Sequence, residues 1–206
     1  MNARTAQYPL REKRKKQNRT GLMVAAIDLF AEKGYAETTL EAIAAKAGLH
    51  VQTLYKHFPA KANLVEEIWH ESLSRFEVFF ASRECDALSA WRNWIEQNAL
   101  ELTREGDSEY RRRRNSFMEI SFVSNATLQY WYRYQEVLAE GIALDMGIDV
   151  AHDPLPTLIA CMLWGGNDNA ARNWANSGTK DDLVKVLLKV VDTVIDEFQH
   201  RLSPQG

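Results

Sequence analysis

A chain of 206 residues can bury a substantial core, and a composition of 46% hydrophobic and 26% charged residues excludes a disordered protein. No apolar run approaches the roughly 20 residues that a bilayer requires, and the basic N-terminus is unlike a signal peptide, so we expect a cytoplasmic protein with no membrane partner. The net charge of −3 is unevenly divided, since residues 1–61 carry +6 and the remainder −9, which indicates that only the first part binds a polyanion.

Residues that could support catalysis or metal binding are sparse. Cys85 and Cys161 have neither disulfide-framework nor metal-ligand spacing, and we expect reduced thiols. The five histidines include no pair at i,i+4, and the chain has no Gly-rich phosphate loop, nucleophile elbow or CxxC. The sequence therefore predicts a protein that is not an enzyme and that binds no metal or cofactor.

The first predicted element is a helix that follows a basic arm. Residues 1–18 are expected to be a partly disordered arm, whose run REKRKKQNR leads into a helix that ends near Lys33 with Gly34 as its stop. The arm suits the DNA backbone or the minor groove, and a solvated tail is the alternative. Apolar residues recur here and onward at spacings of three and four, which predicts an all-α protein.

The next two predicted helices are short. Thr38 begins the first with a capping box to Glu41, and Gly48 ends it. Leu54 and Phe58 form the buried face of the second, which Pro59 ends. Two short helices around a Gly-containing turn predict a helix-turn-helix, with an ordinary helical hairpin as the alternative. The outward side chains of the second helix suit contacts to bases and phosphates: Val51, Gln52, Thr53, Tyr55, Lys56 and His57.

Longer helices make up the rest of the chain. They are predicted from about Ala60 to Phe80, near 87–104, over 108–123, from Thr127 to Met146, from Pro154 or Pro156 to Trp174, and from a Thr179/Asp182 capping box through Phe198. Apolar residues cover more of the last helix than one core-facing stripe needs, so we expect the last two helices to form a homodimer interface.

Aromatic residues are concentrated beyond residue 68. Seven of them are candidates to line an apolar ligand pocket, with plain core packing as the alternative: Trp91, Trp94, Phe117, Phe122, Trp131, Tyr134 and Trp164. A run of four arginines, Arg111, Arg112, Arg113 and Arg114, could receive an anionic head group, with surface ion pairs as the alternative. Gly165-Gly166 predicts a kink, a tight helix crossing or room for a ligand.

Residues 19–64 resemble the DNA-binding domain of the tetracycline-repressor (TetR) family, in the string AAIDLFAEKGYAETTLEAIAAKAGL and then TLYKHF, Lys61 and Leu64. The resemblance implies about nine helices: a three-helix helix-turn-helix domain over 19–64 and a larger helical ligand-binding and dimerisation domain over 65–206. It implies phosphate contacts from Thr38 or Thr39, Tyr55 and Lys61, and groove-facing positions at Val51, Gln52, Thr53 and His57. His50 stands where the family has Ser or Thr, so the start of the recognition helix is expected to be frayed until DNA is bound.

A second similarity concerns the C-terminal part. RRRRNSF, Leu128, Ile142-Ala143, Ala170-Ala171 and Trp174 are similar to residues of family members that bind acyl-CoA-like ligands, the mycofactocin-associated regulators among them. This implies an acyl chain among the aromatics and a phosphorylated head group near the arginines. The sequence thus predicts a repressor that binds a palindromic double-stranded operator as a homodimer and is released by a largely apolar effector. The alternative is a DNA-binding regulator with no small-molecule effector.

Overall fold

The computed structural model describes residues 3–104, 106–108, 111–112 and 125–202. Eight helices are delimited in this part of the chain, and it contains no strand: α1 (Ala3–Glu37), α2 (Leu40–Lys46), α3 (Val51–His57), α4 (Lys61–Ala81), α5 (Ala87–Leu102), α6 (Asn125–Met146), α7 (Leu155–Ser177) and α8 (Leu183–Leu202). The all-α prediction is confirmed. Most of the helix predicted over 108–123, with Arg113, Arg114, Phe117 and Phe122, lies outside the described residues. None of the described helices is long and apolar enough to cross a bilayer.

Helix α1 begins earlier than the sequence suggests. Residues 3–18, expected as a partly disordered arm, form its N-terminal half. Gly34 interrupts the regular helix as expected, because it adopts φ +81° and ψ 161°, a conformation that side-chain-bearing residues rarely adopt. The basic run is therefore part of a helix rather than of an extended segment.

The caps of α2 and α3 differ from the predicted ones. Thr39, not Thr38, is the N-cap of α2, and its side chain accepts a hydrogen bond from the Ala42 amide at 3.1 Å. His50 caps α3, since its Nδ1 accepts from the Gln52 amide at 3.3 Å. The first turn of the recognition helix is therefore capped without DNA, and the expectation that it is frayed is wrong for this structure.

Helix α4 runs through two hydrophobic cores. Leu64 and Val65, near its start, pack with α1, α2 and α3 around Leu22, Phe30 and Leu54. Three residues farther along α4 belong instead to the large core of the C-terminal helices: Leu73, Phe76 and Phe80. One continuous helix thus connects the small N-terminal unit to the large one.

Two glycines allow close helix crossings in the C-terminal unit. A Cβ at Gly166 of α7 would lie 2.7 Å from Val190 Cγ1 of α8, and one at Gly141 of α6 would lie 2.4 Å from Phe80 Cε1 of α4. The Gly165-Gly166 pair therefore includes a tight helix crossing at Gly166, whereas a Cβ at Gly165 would meet no atom within 4 Å.

The cap of α8 is Asp182 alone, because its Oδ1 accepts from the Val184 amide at 2.9 Å while Thr179 hydrogen-bonds to Asp181.

Candidate nucleic-acid interface

The recognition helix α3 is anchored on one side and open on the other. Leu54 is buried, and so is Phe58 at the C-cap. Gln52, Tyr55 and Lys56 are exposed, as expected of residues that bind an outside partner, and so is His50 at the N-cap. Val51, Thr53 and His57 are half-buried, and Val51 packs against the N-terminal core. The open face therefore centres on Gln52, Tyr55 and Lys56, and Val51 contributes less to it than the sequence suggests.

The two candidate threonines have different environments. Thr38 is 2% exposed, and its Oγ1 lies 2.7 Å from the Gly34 carbonyl oxygen and 3.1 Å from that of Leu29. Its hydroxyl proton is therefore directed into the protein, and Thr38 is removed from the set of phosphate contacts. Thr39 is exposed at the N-terminus of α2, where unpaired backbone amides favour an anion.

Tyr55 of α3 contacts α2. Its hydroxyl donates to Glu41 Oε1 at 3.3 Å, at the edge of the exposed face. That is a long hydrogen bond at a solvent-exposed site, which a phosphate oxygen can replace. The role of Tyr55 as a phosphate contact stays a prediction.

Lys61 points into the protein in this structure. Its Nζ donates to the carbonyl oxygens of Tyr35, Ala36 and Thr38 and lies 4.3 Å from the centroid of the Tyr35 ring. The sequence places Lys61 among the phosphate contacts, whereas here its ammonium binds the end of α1.

Arg19, the last residue of the basic run, also forms an ion pair within the protein. Its guanidinium pairs with both carboxylate oxygens of Glu67 on α4, with Nε 2.7 Å from Oε1, and its Cζ lies 4.9 Å from the centroid of the Phe58 ring. Because an arginine hydrogen bond holds the ionised carboxylate, the pKa of Glu67 is below its usual range. Arg19 therefore joins α1, α3 and α4, a role that no local sequence signal indicates.

The helical arm passes close to the end of α3. Burial and, to a smaller extent, the positive charges of Arg19 and Lys15 lower the pKa of His57, the last residue of the recognition helix. Arg11, Lys15 and Arg19 are spaced four residues apart, so they share one face of α1. The exposed cations of the arm thus continue the positive surface beyond α3.

The described aromatic residues pack against one another. Tyr134 and Trp164 stack with centroids 4.5 Å apart, and Phe76 lies within 5.8 Å of Trp91 and 5.2 Å of Trp94. Trp131 is half-buried. Burial raises the pKa of Tyr134 to about 12, and its hydroxyl lies 2.9 Å from Ser72 Oγ. Among the described residues, Trp91, Trp94, Tyr134 and Trp164 are therefore in ring contact with one another or with Phe76.

A buried polar link accompanies those rings. Trp91 is 1% exposed, and its Nε1 donates to Asn167 Oδ1 at 3.1 Å, while Asn167 Nδ2 donates to the Leu187 carbonyl at 2.9 Å. The indole N–H thereby has the partner that a buried tryptophan requires. The link connects α5, α7 and α8.

Arg111 binds backbone carbonyl groups in this structure. Its Nη1 donates to the carbonyl oxygens of Trp174 and Ala175, and its Nη2 donates to the carbonyl oxygen of Thr179 at 2.7 Å. Its Cζ lies 3.5 Å from the centroid of the Trp174 ring. These carbonyls lie at and just beyond the C-terminus of α7, where a cation is favoured. The head-group role predicted for Arg111 is therefore corrected to that of a helix cap. The positive charge of Arg112 helps to lower the pKa of Glu32 on α1, to which the hydrogen bond from Lys46 contributes most.

A groove of about 320 Å³ lies elsewhere, between α4 and α6. Its floor includes Phe80 and Gly141, and its walls carry Glu77, Arg83 and Arg133. Arg133 pairs with Glu77 at 3.1 Å and with Glu136 and Glu140 at 3.3 Å. The charges that border this groove largely neutralise one another, so it differs from the predicted pocket in both position and character.

Comparison with known proteins gives the N-terminal unit its family. Residues 22–68 match the model for bacterial regulatory proteins of the tetR family. Over 209 aligned residues, covering 92% of this chain and all of the relative, the chain is 22% identical to the fatty acid metabolism regulator protein of Bacillus subtilis.

Solved structures share the fold. SmeT, the repressor of the Stenotrophomonas maltophilia multidrug efflux pump SmeDEF, superposes with a TM-score of 0.67 at 23% identity, over 87% of this chain and 89% of its own. FadR from Bacillus subtilis, solved in complex with stearoyl-CoA, superposes with a TM-score of 0.64 at 19% identity, over 85% of this chain and 97% of its own. At these identities the superpositions show the fold and not the ligand.

Proposed function

We propose that the chain is a cytoplasmic TetR-family repressor that binds a palindromic operator as a homodimer and is released by a small effector. The match of residues 22–68 to the tetR-family model and the fold shared with solved regulators support this proposal. The observation that carries this proposal is the anchored helix-turn-helix, in which Leu54 and Phe58 fix α3 while Gln52, Tyr55 and Lys56 remain exposed. A recognition helix held in this way presents its exposed face to the major groove.

Contacts to DNA divide between bases and phosphates. Gln52 can form a bidentate contact to adenine, with Thr53 and His57 beside it, while Thr39, Tyr55 and Lys56 bind phosphates. The helical arm binds the backbone rather than the minor groove, since a helix about 10–12 Å across does not enter a groove about 6 Å wide. Its exposed lysines and arginines strengthen binding to any sequence and make that binding sensitive to salt.

Dimerisation involves α7 and α8. Leu158 and Met162 on α7 are 55% and 46% exposed, and Val184 and Leu188 on α8 are half-buried. Packing these apolar residues against a symmetry mate removes them from water and gives a two-fold protein. A two-fold protein places two recognition helices on the two halves of a palindrome.

The proposed effector is a largely apolar molecule with an anionic end, such as an acyl-CoA. Support comes from the concentration of aromatic residues in the C-terminal unit and from FadR, whose structure contains stearoyl-CoA. The effector would need to separate rings that are in contact here, so it would favour a conformation of the C-terminal unit different from the described one. It weakens operator binding only by the difference in its affinity for the two arrangements, and a difference of about 1–3 kcal/mol gives a roughly 5–150-fold change.

A regulator without a small-molecule effector is the second candidate. The observation that favours it is the direct contact among four of the described rings, those of Tyr134, Trp164, Phe76 and Trp91. A core that binds no ligand keeps its melting temperature when a ligand is added, whereas a true effector raises that temperature by mass action.

One experiment tests both parts of the proposal. The protein selects its preferred duplex from a randomised library, and acyl-CoAs of increasing chain length are then titrated into the complex. We expect a palindromic consensus and release of the duplex by one range of chain lengths. Failure to enrich any sequence would refute DNA recognition, whereas enrichment without release, together with an unchanged melting temperature, would favour the regulator without an effector.

A further inference from the structure

We infer that Ser72 and Tyr134 are a positioning pair, whose hydrogen bond holds α4 in its DNA-binding arrangement and breaks when an effector separates the aromatic rings. The inference rests on the proposed function, because it concerns how the effector site is linked to the DNA-reading helices. The pair is the contact through which a ligand among the rings acts on α4.

Ser72 lies where α4 leaves one hydrophobic core and enters the other. Trp69 packs against the N-terminal core, whereas Leu73 and Phe76 belong to the C-terminal core. Ser72 Oγ lies 2.9 Å from the hydroxyl oxygen of Tyr134 on α6, which is an ordinary O–H···O hydrogen-bond distance. Because the N-terminal unit packs on the part of α4 that precedes Ser72, a change in the direction of α4 at this point moves the helix-turn-helix.

Tyr134 belongs at the same time to the ring cluster that is the candidate effector site. It is 3% exposed, and its ring centroid lies 4.5 Å from that of Trp164 and 4.9 Å from that of Phe76. Protein interiors are close-packed, so an acyl chain that enters between these rings displaces them. A shift of about 1 Å lengthens the separation of the two hydroxyl oxygens beyond hydrogen-bond range. Displacement of the Tyr134 ring therefore breaks its hydrogen bond to Ser72.

Two other contacts between α4 and α6 have a different position. Arg133 pairs with Glu77 at 3.1 Å, but their side chains are 41% and 39% exposed, and a surface ion pair contributes little to stability. Phe80 packs against Gly141 near the end of α4. Both contacts lie farther along α4 from the N-terminal unit than Ser72 does, so they have less influence on where that unit points.

The hydrogen bond favours the described arrangement over the effector-bound one, and its removal has the opposite effect. A hydrogen bond of this kind changes an equilibrium constant by roughly 2- to 10-fold. The apparent affinity for an effector rises with the fraction of protein in the arrangement that binds it. Loss of either hydroxyl should therefore make the protein more sensitive to the effector, whereas loss of a contact to the ligand would make it less sensitive.

Operator release by the acyl-CoA series is compared for wild type, Tyr134→Phe, Ser72→Ala and the double variant. We expect each single substitution to lower the acyl-CoA concentration that releases half of the operator by roughly 2- to 10-fold, and the double variant to lower it no further. Ser72→Thr, which keeps a hydroxyl, should restore most of the wild-type value. Tyr132→Phe is the matched control, because Tyr132 is a tyrosine of the same helix and is 55% exposed, and it should leave the value unchanged.

Hydrogen exchange of the ligand-free protein gives a readout that needs no effector. Tyr134→Phe and Ser72→Ala should both speed the exchange of the α4 backbone amides around Ser72, and should leave the exchange of α8 unchanged. Tyr132→Phe should exchange like wild type throughout.

Other outcomes would overturn the inference. A higher acyl-CoA requirement for Tyr134→Phe makes its hydroxyl a contact to the ligand, and additive effects of the two substitutions mean that the hydroxyls act separately. Variants that are released like wild type show that the hydrogen bond does not hold α4. A wild-type protein that selects no duplex, or that no acyl-CoA releases, refutes the proposed function instead. Hydrogen exchange then decides the role of the pair, since unchanged exchange in α4 refutes it and faster exchange supports it.

Discussion

Cations of the N-terminal unit fall into two groups according to their partners. Arg19 binds Glu67, Lys46 binds Glu32 at 2.7 Å, and Lys61 binds backbone carbonyls. Lys56 and the residues of the arm from Arg11 to Gln17 are exposed. We therefore expect the electrostatic part of DNA binding to come from the second group, and the first group to maintain the geometry of the unit.

The exposed face of α3 gives a prediction for base preference. Gln52→Ala should relax the preference at one position of the operator half-site, with about 1–3 kcal/mol of discrimination lost if the contact is bidentate. Tyr55→Phe removes only the hydroxyl that we propose binds a phosphate, so it should weaken binding to all sequences alike. Binding of both variants to a randomised duplex library measures this, and an unchanged preference for Gln52→Ala would mean that the recognition helix is docked in another register.

The pH dependence of stability follows from His57. Burial and the charges of Arg19 and Lys15 lower its pKa, so between that lowered value and the ordinary value near 6.5 the unfolded chain binds more protons than the folded one. The contribution of His57 to the free energy of unfolding should therefore be largest above about pH 6.5. It should fall as the pH drops toward the lowered pKa.

Denaturant unfolding of the DNA-free protein between pH 7.5 and 5, for wild type and His57→Asn, measures this contribution. The variant should lose less stability over the interval than wild type does. Parallel pH profiles for the two proteins would show that the environment of His57 does not favour its neutral form.

At the scale of helices, crossings are set by glycines whose neighbours leave no room for a methyl group. At Gly141 the nearest atoms to an added Cβ belong to the ring of Phe80, which is buried between α4 and α6 and cannot move away easily. At Gly21 of α1 an added Cβ meets no atom within 4 Å. Replacing glycine with alanine should therefore have opposite effects on stability at Gly141 and at Gly21.

We predict that Gly141→Ala destabilises the protein by about 1–3 kcal/mol, through overpacking against Phe80. Gly21→Ala should stabilise it by up to about 1 kcal/mol, because alanine has the higher helix propensity. Chemical denaturation of both variants checks the pair. Equal and small changes in the free energy of unfolding of the two variants would mean that α4 and α6 can separate at little cost.

At the scale of the molecule, the exposed apolar face of α7 gives a prediction for assembly. Met162→Glu would bury two carboxylates near a two-fold axis, so we expect it to shift a micromolar dimer toward monomer and to weaken operator binding. Leu144→Glu is the control, since Leu144 is 73% exposed on α6. Light scattering after size-exclusion measures both variants, and an unchanged mass for Met162→Glu would place the interface elsewhere.

Local signals in the sequence determined the helical class and most of the helix positions. Spacings of three and four, the stop at Gly34 and the short helix that ends before Pro59 depend on neighbouring residues, and the structure confirms them. The anchoring of α3 by Leu54 and Phe58 follows from the same periodicity. The family resemblance rests on this N-terminal stretch too, and the family model matches it.

Tertiary structure alone decided the partners of the cations and rings. Whether an arginine or lysine reaches solvent or a carbonyl depends on which helix end lies beside it, and the residues that bind Arg19, Lys61 and Arg111 are 23 to 68 positions distant in sequence. A spacing rule could not assign Gly166 rather than Gly165 to the helix crossing, because the choice depends on the position of Val190. The aromatic residues were evident as a group in the sequence. Only the packing of four helices, α4 to α7, brought their rings into contact, because contact between rings depends on three-dimensional distance and not on order along the chain.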